Sequence, residues 1–342
     1  MSEMVDRRAP KVYRPRIDIF VHPYKKLFRF EELHVEWIVA EVLGGETGEA
    51  RGGALTTKQK LEAFLRYSAD PGYQTGVGED LGVNQSSVCR AVHDIIDRLY
   101  SVAGRWIHFP STRAEKEAAH GEWTAMNAFP QGIGVIDCTH VEVLKPSARL
   151  HPDEYVNRKG FFSFNVQATC DVKERFTSVC AEWVGSVHDA RILRNSPIPD
   201  VMRQTEQDFL LLGDSGYPIS PWLMVPYRNP ETPSQVYYNH TLAKERVVIE
   251  RVFGQLKRRF PILGGCVRIK TERVPRLVIA CAVLLNIAKH LRDGLLDDGE
   301  EGALQQENEY QQDEEGNGDA QMRRRGQVKR DALAHALFLR QQ

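Results

Sequence analysis

The sequence predicts an α/β protein in which an all-α region precedes a domain of strands and helices, and an acidic segment follows. Two stretches, Gly132–Glu142 and Phe209–Tyr217, each place an apolar run in front of an aspartate and indicate buried strands that end at Asp137 and Asp214. Leu242–Phe260 repeats apolar residues at helical spacing, which predicts an amphipathic helix. Residues 293–322 hold 11 acidic residues and neither lysine nor arginine, a composition that predicts disorder.

Length and composition limit the class of protein. The chain has 342 residues, of which 42% are hydrophobic, so it can bury a large core and is expected to hold two domains plus tails. The N-terminus lacks the apolar stretch of a secretory signal, and no membrane span is expected. Six cysteines without a CxxC pair are expected to be reduced, and a zinc site is disfavoured. Removing the 11 acids of 293–322 from the net charge of −1 leaves +10 on the other 312 residues, which favours an anionic partner.

The N-terminal third carries a helix-turn-helix pattern. A helix is expected at Glu31–Leu43, and a second one starts at Thr56 or Thr57. A tight turn at Gly82–Asn84 then precedes a third helix with a buried apolar stripe. In a helix-turn-helix the residues that open this helix would face the DNA major groove: Gln85, Ser86, Ser87 and Arg90. The alternative is a small helical packing module with solvated polar residues.

The acids of the second half share a setting that fits metal chemistry. Asp137 and Asp214 follow apolar runs, Glu250 lies on the predicted amphipathic helix, and Asp189 opens a short predicted helix. Phosphodiester chemistry can use two divalent ions held by a few carboxylates, and Mg²⁺ prefers oxygen ligands. Three acids after apolar runs are also common as capping or ion-paired residues, so spacing alone leaves both interpretations open.

The amino-acid sequence around these acids strongly resembles that of the PIF/Harbinger transposases and of the nucleases derived from them. Seven blocks occur in order over residues 132–291: GVIDCTHVE, YVNRKGFFSFNVQATCD, VGSVHDARIL, LLGDSGYP, WLMVPY, YNHTLAKERVVIERVFGQLKRRF and CAVLLNIAKH. The resemblance implies that Asp137, Asp214 and Glu250 are the catalytic acids and that Asp189 is a further metal ligand. It departs at Phe162, Val184 and Leu285, none of which is an acid of the site.

The resemblance also implies a fold, a cofactor and partners. The fold would be ribonuclease H-like, with a mixed sheet flanked by helices, and the metal would be Mg²⁺ or Mn²⁺. DNA would be the substrate, and a Myb/SANT-like protein and a homo-oligomer are further expected partners. The expected divisions are an arm and helix at 1–53, a helix-turn-helix module at 54–105, a helical connector at 106–130, the DDE nuclease domain at 131–292, and an acidic disordered tail with a basic cluster at 293–342.

Basic residues near the acids have two interpretations each. Arg158 and Lys159, in a loop between strands, could clamp a phosphate or be solvated cations. The run Lys257–Arg259 could follow a DNA backbone or complement a helix C-terminus. The cluster Arg323–Arg330 could be a nuclear import signal or a nucleic-acid-binding tail.

Three other polar residues lie close in sequence to the acids. His140 and His188 would favour softer metals as ligands, so a hydrogen bond within the site is the preferred interpretation for both. Cys138 is disfavoured as a nucleophile because an apolar strand would raise its pKa.

The sequence therefore predicts a metal-dependent DNA endonuclease that acts in the nucleus, with the cytoplasm as a second compartment. The alternative is a DNA-binding or scaffold protein that retains the fold without activity. A metal-dependent phosphatase for small substrates is disfavoured by the basic body and the helix-turn-helix pattern.

Overall fold

A computed structural model describes residues 22–46, 55–70, 74–205, 208–295 and 317–341. The N-terminal arm before residue 22, the glycine-containing segment 47–54 and the acidic segment 296–316 lie outside these ranges. The helices before the sheet are α1 Tyr24–Phe28, α2 Glu32–Glu41, α3 Thr57–Ala69, α4 Gln74–Asp80, α5 Gln85–Ser101, α6 Ala103–Trp106 and α7 Arg113–Thr124. The strands are β1 Gly132–Glu142, β2 Ser163–Cys170, β3 Phe176–Val184, β4 Leu210–Leu212 and β5 Leu223–Met224. The remaining helices are α8 Asp189–Arg194, α9 Ile198–Arg203, α10 Pro233–Arg259, α11 Val274–Leu291 and α12 Asn317–Gln341.

The helical region forms the short-helix, turn and helix arrangement that the sequence predicts. Helix α3 begins with a capping box, in which Thr56 Oγ1 accepts a hydrogen bond from the Gln59 amide and the Gln59 side chain accepts one from the Thr56 amide. Asn84, the last residue of the predicted turn, lies at the N-cap of α5, but its side chain makes no capping hydrogen bond. The apolar stripe of α5 is buried.

This helical region shares its core with the rest of the protein. Helix α5 packs against α11, and one continuous hydrophobic cluster includes side chains of both. At the edge of this contact Asp97 of α5 accepts hydrogen bonds from Arg273, just before α11, and from Arg276 within it. Packing therefore sets the position of α5 relative to the sheet.

The sheet is mixed and has the strand order β3-β2-β1-β4-β5, confirming the ribonuclease H-like α/β fold. Strands β1, β2 and β3 pair antiparallel, whereas β1–β4 and β4–β5 pair in parallel. The strand that contains Asp137 continues to Glu142, so the expectation that it ends at the aspartate is wrong. Pairing with β4 stops at Val135–Leu212, and β1 has β2 as its neighbour beyond that point.

Helices cover both faces of the sheet. One face carries α8 and α9, whose Ile192, Leu193 and Met202 pack on the strands. The other face carries α10 and α11 within the large core. Helix α11 is apolar and mostly buried. By length and composition alone Thr271–Leu291 could cross a membrane, contrary to the sequence expectation, but 67% of its apolar window is buried inside the protein, as in a core helix.

The chain beyond residue 292 differs from the expected disordered tail at both described ends. Asp293 is buried and ion-paired with Lys25 and Arg259, so the folded body extends past the predicted boundary. Residues Asn317–Gln341 form α12, which packs on α10 and β5 with Ala334 and Leu337 buried. The composition of 293–322 conceals these features because the apolar residues that hold α12 lie beyond it.

Candidate metal centre

Two of the predicted acids come together through strand register. Val135 of β1 pairs with Leu212 of β4 in parallel, and Asp137 and Asp214 each lie two residues further along. The two aspartates therefore sit side by side where β1 and β4 separate. Both side chains are buried, and Gly216 donates its amide hydrogen to Asp214 Oδ1 at 3.0 Å.

A third acid reaches this point from the first residue of α8. Asn165 of β2 holds it there, since its Nδ2 donates to Asp189 Oδ1 at 2.8 Å and to the Val187 carbonyl at 2.9 Å. Asp137, Asp189 and Asp214 each offer a carboxylate oxygen, and these oxygens lie within 4.8 Å of one another. The structure thus brings together three of the four predicted metal ligands.

The fourth, Glu250, lies outside this cluster. Its side chain is 45% exposed on α10, one helical turn after Arg246. The Arg246 Nη2 atom is 2.9 Å from Asp137 Oδ2 and 3.9 Å from Glu250 Oε1, so the guanidinium stands between the two acids. The catalytic role of Glu250 stays a prediction.

The electrostatics of the cluster favour a cation. Burial raises the pKa of Asp137 to about 7. The positive charge of Arg246 opposes this shift, and the negative charges of Asp214 and Asp189 reinforce it. Burial also raises the pKa of Asp214, with Arg246 again opposing and Asp189 reinforcing the shift. Three close carboxylates thus repel one another in a setting that disfavours charge, and a divalent cation between them would relieve both costs.

The donor atoms and the space also fit a hard divalent ion. All three ligands are carboxylate oxygens, which Mg²⁺ and Mn²⁺ accept. A Cβ atom at Gly216 would lie 3.2 Å from Asp214 Oδ1 and 3.6 Å from Asp189 Oδ2, so the glycine leaves room beside two of the acids. Asn165 Oδ1, at the back of the cluster, is buried and accepts no hydrogen bond from the described residues.

The neighbouring histidines and cysteine lie outside the group of three carboxylates that could hold a metal ion. Burial lowers the pKa of His140 to about 4, and its Nδ1 atom is 3.0 Å from Ser163 Oγ. His188 occupies the N-cap position of α8, directly before Asp189. Burial raises the pKa of the Cys138 thiol well above its usual range, as the sequence predicts.

The run Lys257–Arg259 divides between the site and the core. Lys257 is largely buried and donates to Thr139 Oγ1 and to the His140 carbonyl, on the β1 segment that follows Asp137. Burial, with a contribution from Lys159, lowers the pKa of Lys257 to about 8. Arg259 is buried against Phe30 and Asp293 and therefore belongs to the core. Arg258 is exposed.

A cleft of about 300 Å³ opens beside the acids. Asp189 and Asp214 form part of its wall, and five arginines line it: Arg158, Arg194, Arg228, Arg323 and Arg330. Of the two predicted phosphate-contacting residues, Arg158 lines the cleft, while Lys159 is exposed in the same loop. The acids therefore adjoin a surface that suits a polyanion.

The residues predicted to read DNA lie at the start of α5. Gln85, Ser86 and Arg90 are exposed, and Ser87 is half-buried. Gln85 Nε2 donates to Gln74 Oε1 of α4, linking the two helices of the turn. This exposure matches the predicted arrangement, and DNA contact stays a prediction.

Sequence reasoning missed Asn165 and Arg246. Asn165 and Gln167 flank Val166 in β2 at a spacing of two, which places both amides on one face of the sheet, and this pair was the available signal. Arg246 precedes Glu250 by four residues, the spacing that places both on one helix face.

Comparison with known proteins decides the family. The model of the DDE superfamily endonucleases matches residues 136–286, which include all four acids. The chain is 31% identical over 268 residues to the protein named "Putative nuclease HARBI1" of Bos taurus, covering 77% of this chain and 76% of that protein. The chain belongs to the Harbinger-derived nuclease family. The Homo sapiens protein of the same name shows the same identity and coverage.

The chain is also similar to a plant protein. "Protein ALP1-like" of Arabidopsis thaliana is 26% identical over 266 residues, covering 73% of this chain and 65% of that protein. No solved structure matches this chain significantly. The family assignment agrees with the strand order and the three converging aspartates.

Proposed function

We propose that this protein is a divalent-metal-dependent DNA endonuclease that cleaves phosphodiester bonds by a two-metal DDE mechanism. The observation that carries the proposal is the convergence of Asp137, Asp189 and Asp214 within 4.8 Å, beside a cleft lined by arginines. Repelling carboxylates suit metal ions, and guanidinium groups suit the phosphates of a nucleic acid.

The residues that would hold Mg²⁺ or Mn²⁺ are Asp137, Asp189 and Asp214, with Glu250 of α10 as the fourth. When bound, such ions supply Lewis-acid activation of a water or 3′-hydroxyl nucleophile and stabilise charge on the leaving oxygen. Asn165 orients Asp189 through its hydrogen bond to Oδ1. Arg246 holds Asp137 in place and neutralises part of the acidic charge.

The rest of the chain would bind and orient the DNA. Arg158 and its neighbours in the cleft would pair with phosphate oxygens near the cleaved bond. The exposed start of α5, with Gln85, Ser86, Ser87 and Arg90, would enter a major groove. A Myb/SANT-like protein partner would recruit the enzyme to its target. The enzyme would act in the nucleus, with the cytoplasm as a second compartment.

The test is nicking of supercoiled DNA with Mg²⁺ or Mn²⁺ by the full chain. Asp137→Asn, Asp189→Asn and Asp214→Asn keep the side-chain shape and remove the charge. Each should lower the nicking rate by about 10³-fold or more, as expected for removal of a catalytic group. Asp200→Asn is the matched control, because Asp200 is 82% exposed and pairs only with the nearby Arg203 among the contacts described.

Glu250 needs its own comparison because it stands outside the cluster. Glu250→Gln should reduce nicking as strongly as Asp214→Asn if the glutamate holds a metal ion during the reaction. A reduction of less than about tenfold, the lower range for residues that act through a ligand, would restrict the metal site to the three aspartates.

A non-cleaving DNA-binding scaffold is the second candidate. The ion pair between Arg246 and Asp137 favours it, since an internal cation can stabilise buried acids without a metal. Wild-type protein that binds DNA but remains inert, both alone and with a Myb/SANT-like partner, would refute the nuclease proposal and support the scaffold.

A further inference from the structure

Helix α12 docks beside the catalytic sheet through close and specific contacts. Gly326 is buried so tightly that a Cβ atom there would lie 2.8–2.9 Å from backbone atoms of Ser220. The Arg330 guanidinium stacks 3.8 Å from the centre of the Tyr227 ring and donates to the Pro226 carbonyl at 3.0 Å. Asp331 accepts a 2.6 Å hydrogen bond from the Tyr227 hydroxyl. These contacts fix how closely α12 approaches Ser220 and how the helix is rotated about its own axis.

The docked helix forms one wall of the cleft that contains the acids. Arg323, Gln327 and Arg330 line this cleft, and their spacing of four and three residues places them on one helix face. Arg158, from the loop before β2, lines the same cleft together with Asp189 and Asp214. The site therefore combines side chains from segments more than 150 residues apart in the sequence.

The composition of this wall indicates its ligand. Guanidinium groups present forked donors that match phosphate oxygens, and the cleft gathers several of them next to a centre suited to phosphodiester chemistry. Arg330 is committed to Tyr227 and Pro226, which makes it a positioning residue. Arg323 lies two helical turns earlier at the cleft, and Gly326 permits the close approach that brings it there.

The geometry points to α12 as part of the substrate-binding site, with Arg323 contacting the phosphate backbone of the DNA strand that enters the metal centre. This inference rests on the proposed function, since it names the surface that holds the DNA during cleavage. It assigns Arg323 and Arg330, the two arginines of the basic cluster Arg323–Arg330 that line the cleft, a role within the folded enzyme, distinct from an import signal or a free tail.

The test compares adjacent arginines of the same helix in the full chain. Arg323→Ala removes the residue that lines the cleft, whereas Arg324→Ala removes an equal charge from an exposed neighbour. Binding of a fluorescein-labelled duplex is measured by anisotropy over a range of salt concentrations, without divalent metal. Arg323→Ala should weaken binding by about tenfold and lower the salt-dependence slope by about one, as expected for one lost phosphate contact. Arg324→Ala should leave both close to wild type.

A second variant changes the docking and keeps every charge. Gly326→Leu should displace α12 from Ser220 and weaken DNA binding at least as much as Arg323→Ala. Thermal melting verifies that the remainder of each variant is folded. The helix-turn-helix contributes equally to all variants, so the differences between them report on the cleft.

Binding without metal separates this inference from the nuclease proposal. If wild type fails to nick DNA, both alone and with a Myb/SANT-like partner, while Arg323→Ala but not Arg324→Ala weakens binding, the cleft inference stands and the nuclease proposal fails. Equal effects of Arg323→Ala and Arg324→Ala, or no effect of either, would overturn the inference. Faster nicking by Gly326→Leu would also overturn it, because α12 would then be an inhibitory element.

Discussion

Asp293 should be among the most stabilising single residues outside the metal centre. Its carboxylate is completely buried and lies 3.0 Å from Lys25 Nζ, 3.4 Å from Arg259 Nη1 and 2.6 Å from His34 Nδ1. The amide of Glu31 also donates to it at 3.0 Å. One acid thus joins the N-terminal helices to the end of α10. The perturbation is Asp293→Asn, which keeps the shape and removes the charge.

The expected loss follows from the burial of the partners. Arg259 is only 2% exposed, so its charge would remain in the core without its acid. Breaking a buried ion pair by removing one partner costs about 3–5 kcal/mol, a large part of a typical folding free energy of about 5–15 kcal/mol. Urea denaturation followed by circular dichroism would measure the change in unfolding free energy.

A surface pair supplies the control for this measurement. Asp200→Asn removes an exposed acid whose ion pair with Arg203 should contribute less than about 1 kcal/mol. An Asp293→Asn variant that loses no more stability than Asp200→Asn would refute the reasoning. The direction of the pH dependence also follows from the structure. Burial alone would raise the pKa of Asp293, but the hydrogen bonds from the Glu31 amide, His34 and Lys25 outweigh burial and lower this pKa. Its contribution is therefore present above the unfolded pKa and is lost as the pH falls through the folded pKa.

Two further predictions concern β1 and its neighbours. The pKa of Lys257 falls from 10.5 to about 8 on folding, so the unfolded state binds more protons between these values and stability from this residue rises with pH there. Urea denaturation across this pH range would measure the unfolding free energies of wild type and Lys257→Met. The wild-type value minus the variant value should increase by up to about 3 kcal/mol as the pH rises. A difference that does not depend on pH would contradict this. Gly134→Ala places a Cβ atom 2.6 Å from the Cys170 carbonyl oxygen, so β1 and β2 must separate, at a cost of about 1–3 kcal/mol. Thermal melting checks it against Gly121→Ala, whose added Cβ atom meets nothing within 4 Å, and equal melting temperatures would contradict it.

The main elements of the fold were predictable because their signals are local. The apolar runs around Asp137 and Asp214 predicted strands, and the structure forms β1 and β4 there. The resemblance to Harbinger transposases then supplied the sheet architecture, which local patterns do not determine. The order β3-β2-β1-β4-β5 and its mixed pairing confirm that fold.

The details of the site depend on long-range geometry and were less predictable. The proximity of Asp137 and Asp214 follows from a shared register that no single segment specifies. Arg246 pairs with Asp137 across 109 residues of sequence, so the separation of Glu250 from the cluster could not be read from the helix alone. The docking of helix α12 was not predicted because its anchoring surface is formed by β5 and α10, and the acidic segment before it dominates the local composition.

The contact between α5 and α11 bears on the position at which DNA would be cleaved. Asp97 and the shared core fix α5 against the sheet, so side-chain packing sets the separation between the first turn of α5 and the acid cluster. Under the proposed function, this fixed separation would set the distance between the DNA sequence bound by α5 and the bond that is cut. The cut would lie a constant number of base pairs from that sequence, and inserting half a helical turn between them would turn the scissile phosphate to the far side of the duplex.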